Sequence, residues 1–173
     1  MTNAPELSRP VRLDTLGEGD RAVSVTTTET ERAALAARFG LVAIDALEAE
    51  VSLRRLGERI DCEGRLRATV TQSCVASGDP VRATLDEPFA IRFVPAQEGE
   101  MDEEIELGAD DLDTIEYDGS SVDVGEAVAQ TLALALDPFP RAPGAEQALR
   151  DAGVMDEEEA GPFAALGALK GRL

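Results

Sequence analysis

From Val42 to Phe93 apolar side chains recur at every second position: Val51 and Leu53, Ile60 and Cys62, Leu66, Ala68 and Val70, then Phe89, Ile91 and Phe93. A period of two is that of a strand with one face buried. The breaks between these runs, Leu56-Gly57-Glu58 and Ser77-Gly78-Asp79-Pro80, carry turn chemistry and are too short for the crossover that parallel neighbours need. The block is therefore expected to form short antiparallel strands. Its arginines, Arg54, Arg55, Arg59, Arg65, Arg67 and Arg82, alternate with acids and belong on the wet face of that sheet.

The flanking segments add strands and helices. Ser8 to Leu16 and Arg21 to Thr26 alternate and predict two further strands. Thr28 and Glu31 stand in capping-box spacing ahead of an Ala-rich run, which predicts a helix from about Glu29 to Phe39. Gly40 is placed to end it in a left-handed conformation with Leu41 folded back on the last turn. Downstream, Asp118-Gly119 marks a tight turn, and Asp123 and Glu126 repeat the N-cap spacing. Val124, Val128, Thr131, Leu132 and Ala135 then line one side of a second helix, about Val124 to Leu136, which Asp137-Pro138-Phe139-Pro140 stops.

The expected class is α+β, a largely antiparallel, curved or partly closed sheet of about six or seven strands covered by two main helices. A partly closed barrel is the expected form, because many short strands need their edges managed. With 173 residues the chain is expected to form one domain over residues 1–151. An acidic spacer and apolar C-terminal tail, residues 152–173, follow it.

Charge is distributed unevenly. Between Phe93 and Pro140 there are fourteen acidic residues and no Lys or Arg, in a chain of net charge −19. Such a surface repels phosphate backbones and attracts cationic protein. Residues 98–113 are expected to be a mobile acidic loop, with at most a short ordered piece around Ile105 and Leu107. Its acids Glu98, Glu100, Asp102, Glu103, Glu104, Glu106, Asp110 and Asp111 are candidates for holding a partner, as are Phe163 and Leu166 of the tail. Asp118, Gly119, Asp123, Pro138 and Pro140 have structural duties instead.

The chain has no histidine, which removes the commonest general base and every His-dependent triad or metal site. Cys74 as a nucleophile would have nothing to activate it. Paired carboxylates such as Asp110 and Asp111, or Glu103 and Glu104, have the chemistry to hold a divalent cation, but a run this dense is normally a solvated segment. Cys62 and Cys74 are either buried free thiols on strands or a disulfide across neighbouring strands, and no secretory signal favours the second. Aromatic residues make up 3% of the chain and Trp is absent, so base-stacking platforms are scarce. Met1 to Pro10 lacks a basic start followed by an apolar run, and nowhere do 18 uncharged apolar residues occur together. The expectation is a soluble, cytoplasmic, non-enzymatic protein without cofactor.

Three stretches together resemble the YceD-like family. They are Thr71 to Val81, with Cys74-Val75-Ala76-Ser77 inside it; the Asp118-Gly119 turn and the helix from Val122-Asp123-Val124 to Leu136-Asp137-Pro138; and Pro162-Phe163-Ala164-Ala165-Leu166 to Leu169-Lys170. They come in the family's order and cover most of the chain. The resemblance implies a part in the accumulation of large-subunit ribosomal RNA. It also implies that relatives carry a CxxC pair at the turn and a further His and Cys after the second helix, a set with the ligand types of a structural zinc site. Here Cys74 stands at the first of those positions, Ser77 at the second, and Arg141 and its neighbours offer neither His nor Cys. This chain is therefore expected to hold no metal, and its turn to be held in some other way.

Two readings of function follow. In the first, the protein is a factor in large-subunit biogenesis that binds a basic ribosomal protein, or a basic part of a precursor particle, through its acidic region. In the alternative, it binds ribosomal RNA weakly through the arginine-bearing sheet face between Arg54 and Arg92.

Overall fold

A computed structural model of the protein describes residues 5–17, 19–96 and 113–154. The strands are β1 (Pro10–Arg12), β2 (Arg21–Thr26), β3 (Ala43–Leu56), β4 (Arg59–Ser73), β5 (Pro80–Pro95), β6 (Asp113–Tyr117) and β7 (Ser121–Asp123). The helices are α1 (Glu29–Phe39), α2 (Val124–Ala135) and α3 (Ala145–Asp151). The strands form a five-stranded sheet ordered β2-β3-β4-β5-β6 and a two-stranded sheet of β1 with β7. The class is α+β and the main sheet is mostly antiparallel, as the alternation requires.

The main sheet is open, not a partly closed barrel. Its three middle strands are also long rather than short, with 14, 15 and 16 residues. The two differences share a cause. The alternation runs almost unbroken through β3 and β4, so the pairing continues from Ala43↔Thr71 to Leu56↔Arg59 with one irregularity between Ile44 and Ala46. An open sheet keeps two edges, and here they are the short strands β2 and β6 of 6 and 5 residues, so closure is not needed to manage them.

The segment Ser8 to Leu16 is only briefly extended. β1 spans three residues, and Leu13–Thr15 form a 3-10 turn after it. Residues 98–112 of the expected acidic loop lie outside the described residues, whereas Asp113 opens β6. That strand pairs with β5 in parallel, from Ile91↔Asp113 to Pro95↔Tyr117. A parallel neighbour needs a long connection, and the 17 residues between Pro95 and Asp113 supply it.

By its contacts the chain divides into two units. The first comprises residues 1–71 and 82–136, the second residues 72–81 and 137–173. The first unit holds the main core, in which Leu7, Val25, Leu35, Leu53, Ile60, Leu66, Val70, Phe93, Val128 and Leu132 are almost fully buried. Each such side chain contributes about 1.5–3 kcal/mol by leaving water. The second unit has a small core of Cys74, Ala142 and Ala145 with Ala76 and Val81 against it.

The starts of α1 and α2 are capped as the spacing predicts. At α1 the Thr28 hydroxyl accepts from the Glu31 amide while the Glu31 carboxylate accepts from the Thr28 amide, and Gly40 ends the helix in the left-handed region at φ 65°. At α2 the Asp123 carboxylate accepts from the amides of Gly125 at 2.9 Å and Glu126 at 3.2 Å. It also accepts from the Arg9 amide at 2.7 Å and the Ser8 hydroxyl at 2.6 Å. The N-terminal segment is thus laced across the start of α2. The approach is so close that a Cβ on Gly125 would stand 2.8 Å from both the Arg9 nitrogen and the Leu7 carbonyl oxygen.

Three ion pairs tie α1 into the same corner. The Arg9 guanidinium grips Glu31 at 2.7 Å, and Arg38 bridges Glu6 and Glu126 at 3.0 and 2.8 Å. The Arg9 guanidinium first, and then the Thr28 amide, hold the Glu31 carboxyl down to about 2. That value lies below the ordinary 4.5, so the contribution of Glu31 to stability is complete above pH 4.5 and is lost as pH falls toward 2. Urea unfolding should therefore show a steep loss of stability across that window, which Glu31→Gln flattens. Asp123→Ala removes a cap and two further acceptor bonds and should lower unfolding free energy by about 2 kcal/mol at neutral pH.

Candidate functional site

The base-free stretch enters the first unit at β6. Asp113, Glu116 and Asp118 are all exposed, and among the described residues no ion pair engages them. The other described acids of the stretch in this unit are engaged, Asp123 by the contacts above and Glu126 by Arg38, which holds its carboxyl below the usual range. Ile115 and Tyr117 turn the other way and are half-buried against the core, and the Tyr117 hydroxyl donates to the Glu58 carbonyl at 2.6 Å. The alternation that makes β6 a strand therefore turns Glu116 outward, whereas Asp113, on the side of Ile115 and Tyr117, is exposed at the open start of the strand.

Beside the start of β6 lies an open cleft of about 460 Å³, lined by Glu87, Pro88, Phe89, Ala90, Asp113, Thr131, Leu134 and Ala135. Leu134 is 78% exposed, although it belongs to the apolar helix α2. Sequence reasoning missed this cleft. The available signal was that Leu134 falls outside the stripe of Val124, Val128, Thr131, Leu132 and Ala135.

The arginines of the sheet are differently placed. Arg54 pairs with Asp20, Arg65 and Arg67 share Asp86, Arg82 pairs with Asp45, and Arg59 and Arg92 share Asp61. Arg55 donates to the carbonyls of Gly57 and Leu13. A cation already neutralised by a neighbouring carboxylate displaces few counterions from a polynucleotide.

Of the sequence-derived candidates, Glu98, Glu100, Asp102, Glu103, Glu104, Glu106, Asp110 and Asp111, together with Phe163 and Leu166, lie outside the described residues, as do Ile105 and Leu107. Asp118 and Gly119 form the turn between β6 and β7, with Gly119 at φ 81°. In the second unit Pro138 is exposed, whereas Pro140 is buried and its carbonyl accepts from the Val75 amide at 2.9 Å.

That unit is built around Cys74. Both cysteines are free thiols; Cys62 is fully buried on β4, and burial pushes its thiol up to about 12. Cys74 begins the six-residue turn between β4 and β5. Its Sγ accepts from the Ala142 amide at 3.3 Å and the Ser77 amide at 3.5 Å, while the Gln72 side-chain amide donates to the Asp137 carbonyl at 2.9 Å. Hydrogen bonds from Ala142 and then Ser77 favour the thiolate and bring Cys74 down to about 6.

Zinc does not fit here. The Ser77 hydroxyl is engaged with Asp79, and the remaining groups that face the sulfur are N–H donors, so one thiolate is the only soft ligand present. Among the described residues no group of three or more His, Cys, Asp or Glu is arranged to hold a metal ion. The turn is tied down by hydrogen bonds to sulfur and carbonyl oxygen.

The turn, the capped helix and the chain beyond it are the parts on which the family resemblance rested, and residues 62–170 match the family model described as large ribosomal RNA subunit accumulation protein YceD. The chain belongs to the YceD family. Neither the curated proteins nor the solved structures contain a match to it. The family description places this YceD member in the accumulation of large-subunit ribosomal RNA, and among its described residues no helix is long and apolar enough to cross a membrane.

For Cys74 the folded value lies below the ordinary 9.0, so its contribution to stability is complete above pH 9 and is lost as pH falls through about 6. Thiolate absorbance should accordingly rise with a midpoint near pH 6 in the native protein. Cys74→Ser should abolish that step, and Cys62→Ser should leave it unchanged.

Proposed function

We propose that this YceD protein is a non-enzymatic factor of large-subunit biogenesis that holds a basic ribosomal protein, or a basic part of a precursor particle, against its base-free acidic region. The observation that carries this reading is the set of exposed carboxylates at Asp113, Glu116 and Asp118, which no ion pair engages among the described residues. It continues a run of acids that has no cation of its own between Phe93 and Pro140. Ribosomal proteins are strongly cationic, so a field of this sign speeds their encounter and keeps them from nonspecific RNA until delivery. The cleft beside Leu134 adds an apolar foothold for a partner that is not held by charge alone. The sheet face is a poorer site for RNA, because its arginines are committed to neighbouring carboxylates or carbonyls.

The test is affinity capture from lysate with the full chain. Basic large-subunit proteins should be enriched at moderate salt and lost at high salt, and Asp113→Asn with Glu116→Gln and Asp118→Asn should weaken their capture several-fold. Capture of no basic ribosomal protein by the intact chain would overturn the reading.

A further inference from the structure

The base-free stretch ends at Arg141, and the second unit then carries a feature that the acidic region does not explain. Arg141, Glu146, Leu149, Arg150 and Val154 line a cleft of about 160 Å³ around α3. All twelve arginines of residues 1–92 donate to a carboxylate or to a neutral oxygen. Arg12 is held by Asp14, Arg21 by Thr15, Arg32 by the Thr27 carbonyl, and the rest are held as described above. Among the described residues, no ion pair or side-chain hydrogen bond takes up Arg141 or Arg150. Even Glu146, one turn before Arg150 on the same face of α3 and inside the same cleft, is not paired with it. In a chain with 35 acidic residues against 16 basic ones, two unengaged guanidinium groups in one cleft are the exception.

The local charge indicates the ligand. Two guanidinium groups and one carboxylate leave the cleft with a single positive charge, which matches a phosphodiester monoanion better than a dianionic phosphate ester. Guanidinium groups present paired N–H donors to phosphate oxygens. Leu149 is half-buried and Val154 is 53% exposed, so both offer apolar surface to a sugar or base edge beside the phosphate.

We propose that this cleft binds a phosphodiester of RNA, with Arg141 and Arg150 donating to its phosphate oxygens and Leu149 and Val154 covering the adjoining nucleotide. It is a contact separate from the acidic region. The second unit would touch RNA while the first holds a cationic protein, and either contact can fail without the other.

The decisive measurement is fluorescence anisotropy of a short single-stranded RNA with the full chain, titrated with salt, alongside Arg141→Gln with Arg150→Gln and a control carrying Arg65→Gln with Arg82→Gln. Both cleft arginines are exposed, so the fold should survive their replacement, and circular dichroism checks that. The cleft variant should bind RNA about tenfold or more weakly, and its salt slope should fall by about 1.4, the loss of two contacts to single-stranded phosphate. The sheet control should bind as the parent does. The proposal is overturned if parent and cleft variant bind the RNA equally or not at all. It is also overturned if inorganic phosphate shifts the Arg141 and Arg150 side-chain resonances under conditions in which the RNA leaves them unmoved.

Discussion

One carboxylate joins the parts of the first unit that are most distant in sequence. Asp123 is the last residue of β7 and the cap of α2, and it also receives the Arg9 amide and the Ser8 hydroxyl. The N-terminal strap, the small β1–β7 ribbon and the start of the helix therefore share one acceptor. Gly125 follows two residues later because the strap passes where any side chain would stand. Arg38, reaching both Glu6 and Glu126, closes the same corner from α1. If this corner loosens, α2 loses the alignment that buries Val124, Val128 and Leu132 against the sheet.

Local chemistry was legible in the sequence wherever a few neighbouring residues determine it. The capping box of Thr28 and Glu31, the left-handed Gly40, the turns at Gly57 and Gly78, and the cap at Asp123 all form where their spacing indicated. What was not legible depends on residues far apart. Period two predicts strands but not their length, so the pattern that suggests many short strands in a partly closed barrel folds as three long strands in an open sheet. The parallel strand β6 was missed because five residues, Asp113 to Tyr117, give little period to read, and its partner β5 lies across a long connection. For the same reason the outward direction of Glu116 emerged only once β6 was placed.

The candidate site shows the same division. The excess of acid was plain in the sequence, but which acids are free was not. Asp45, Asp61 and Asp86 are drawn into ion pairs by arginines of the sheet, whereas Asp113, Glu116 and Asp118 meet none among the described residues. Sequence alternation placed the sheet arginines on a wet face and left an RNA-binding role open to them. Only the pairing of Arg54 with Asp20 and of Arg65 with Asp86 shows that their charge is already answered. Cys74 is the converse case. That its sulfur stands without further Cys or His nearby was readable, but the amides of Ser77 and Ala142 that bond it come from the fold.

The parallel direction of β6 has a consequence for the chain that precedes it. Pro95 stands opposite Tyr117 and Ile91 opposite Asp113, so the connection leaves the pairing at one end and must re-enter at the other. Four residues of strand separate those ends, roughly 13 Å at about 3.3 Å per residue. The sheet register therefore fixes both ends of the connection, and a slip of β6 by one residue along β5 would turn Ile115 and Tyr117 out of the core.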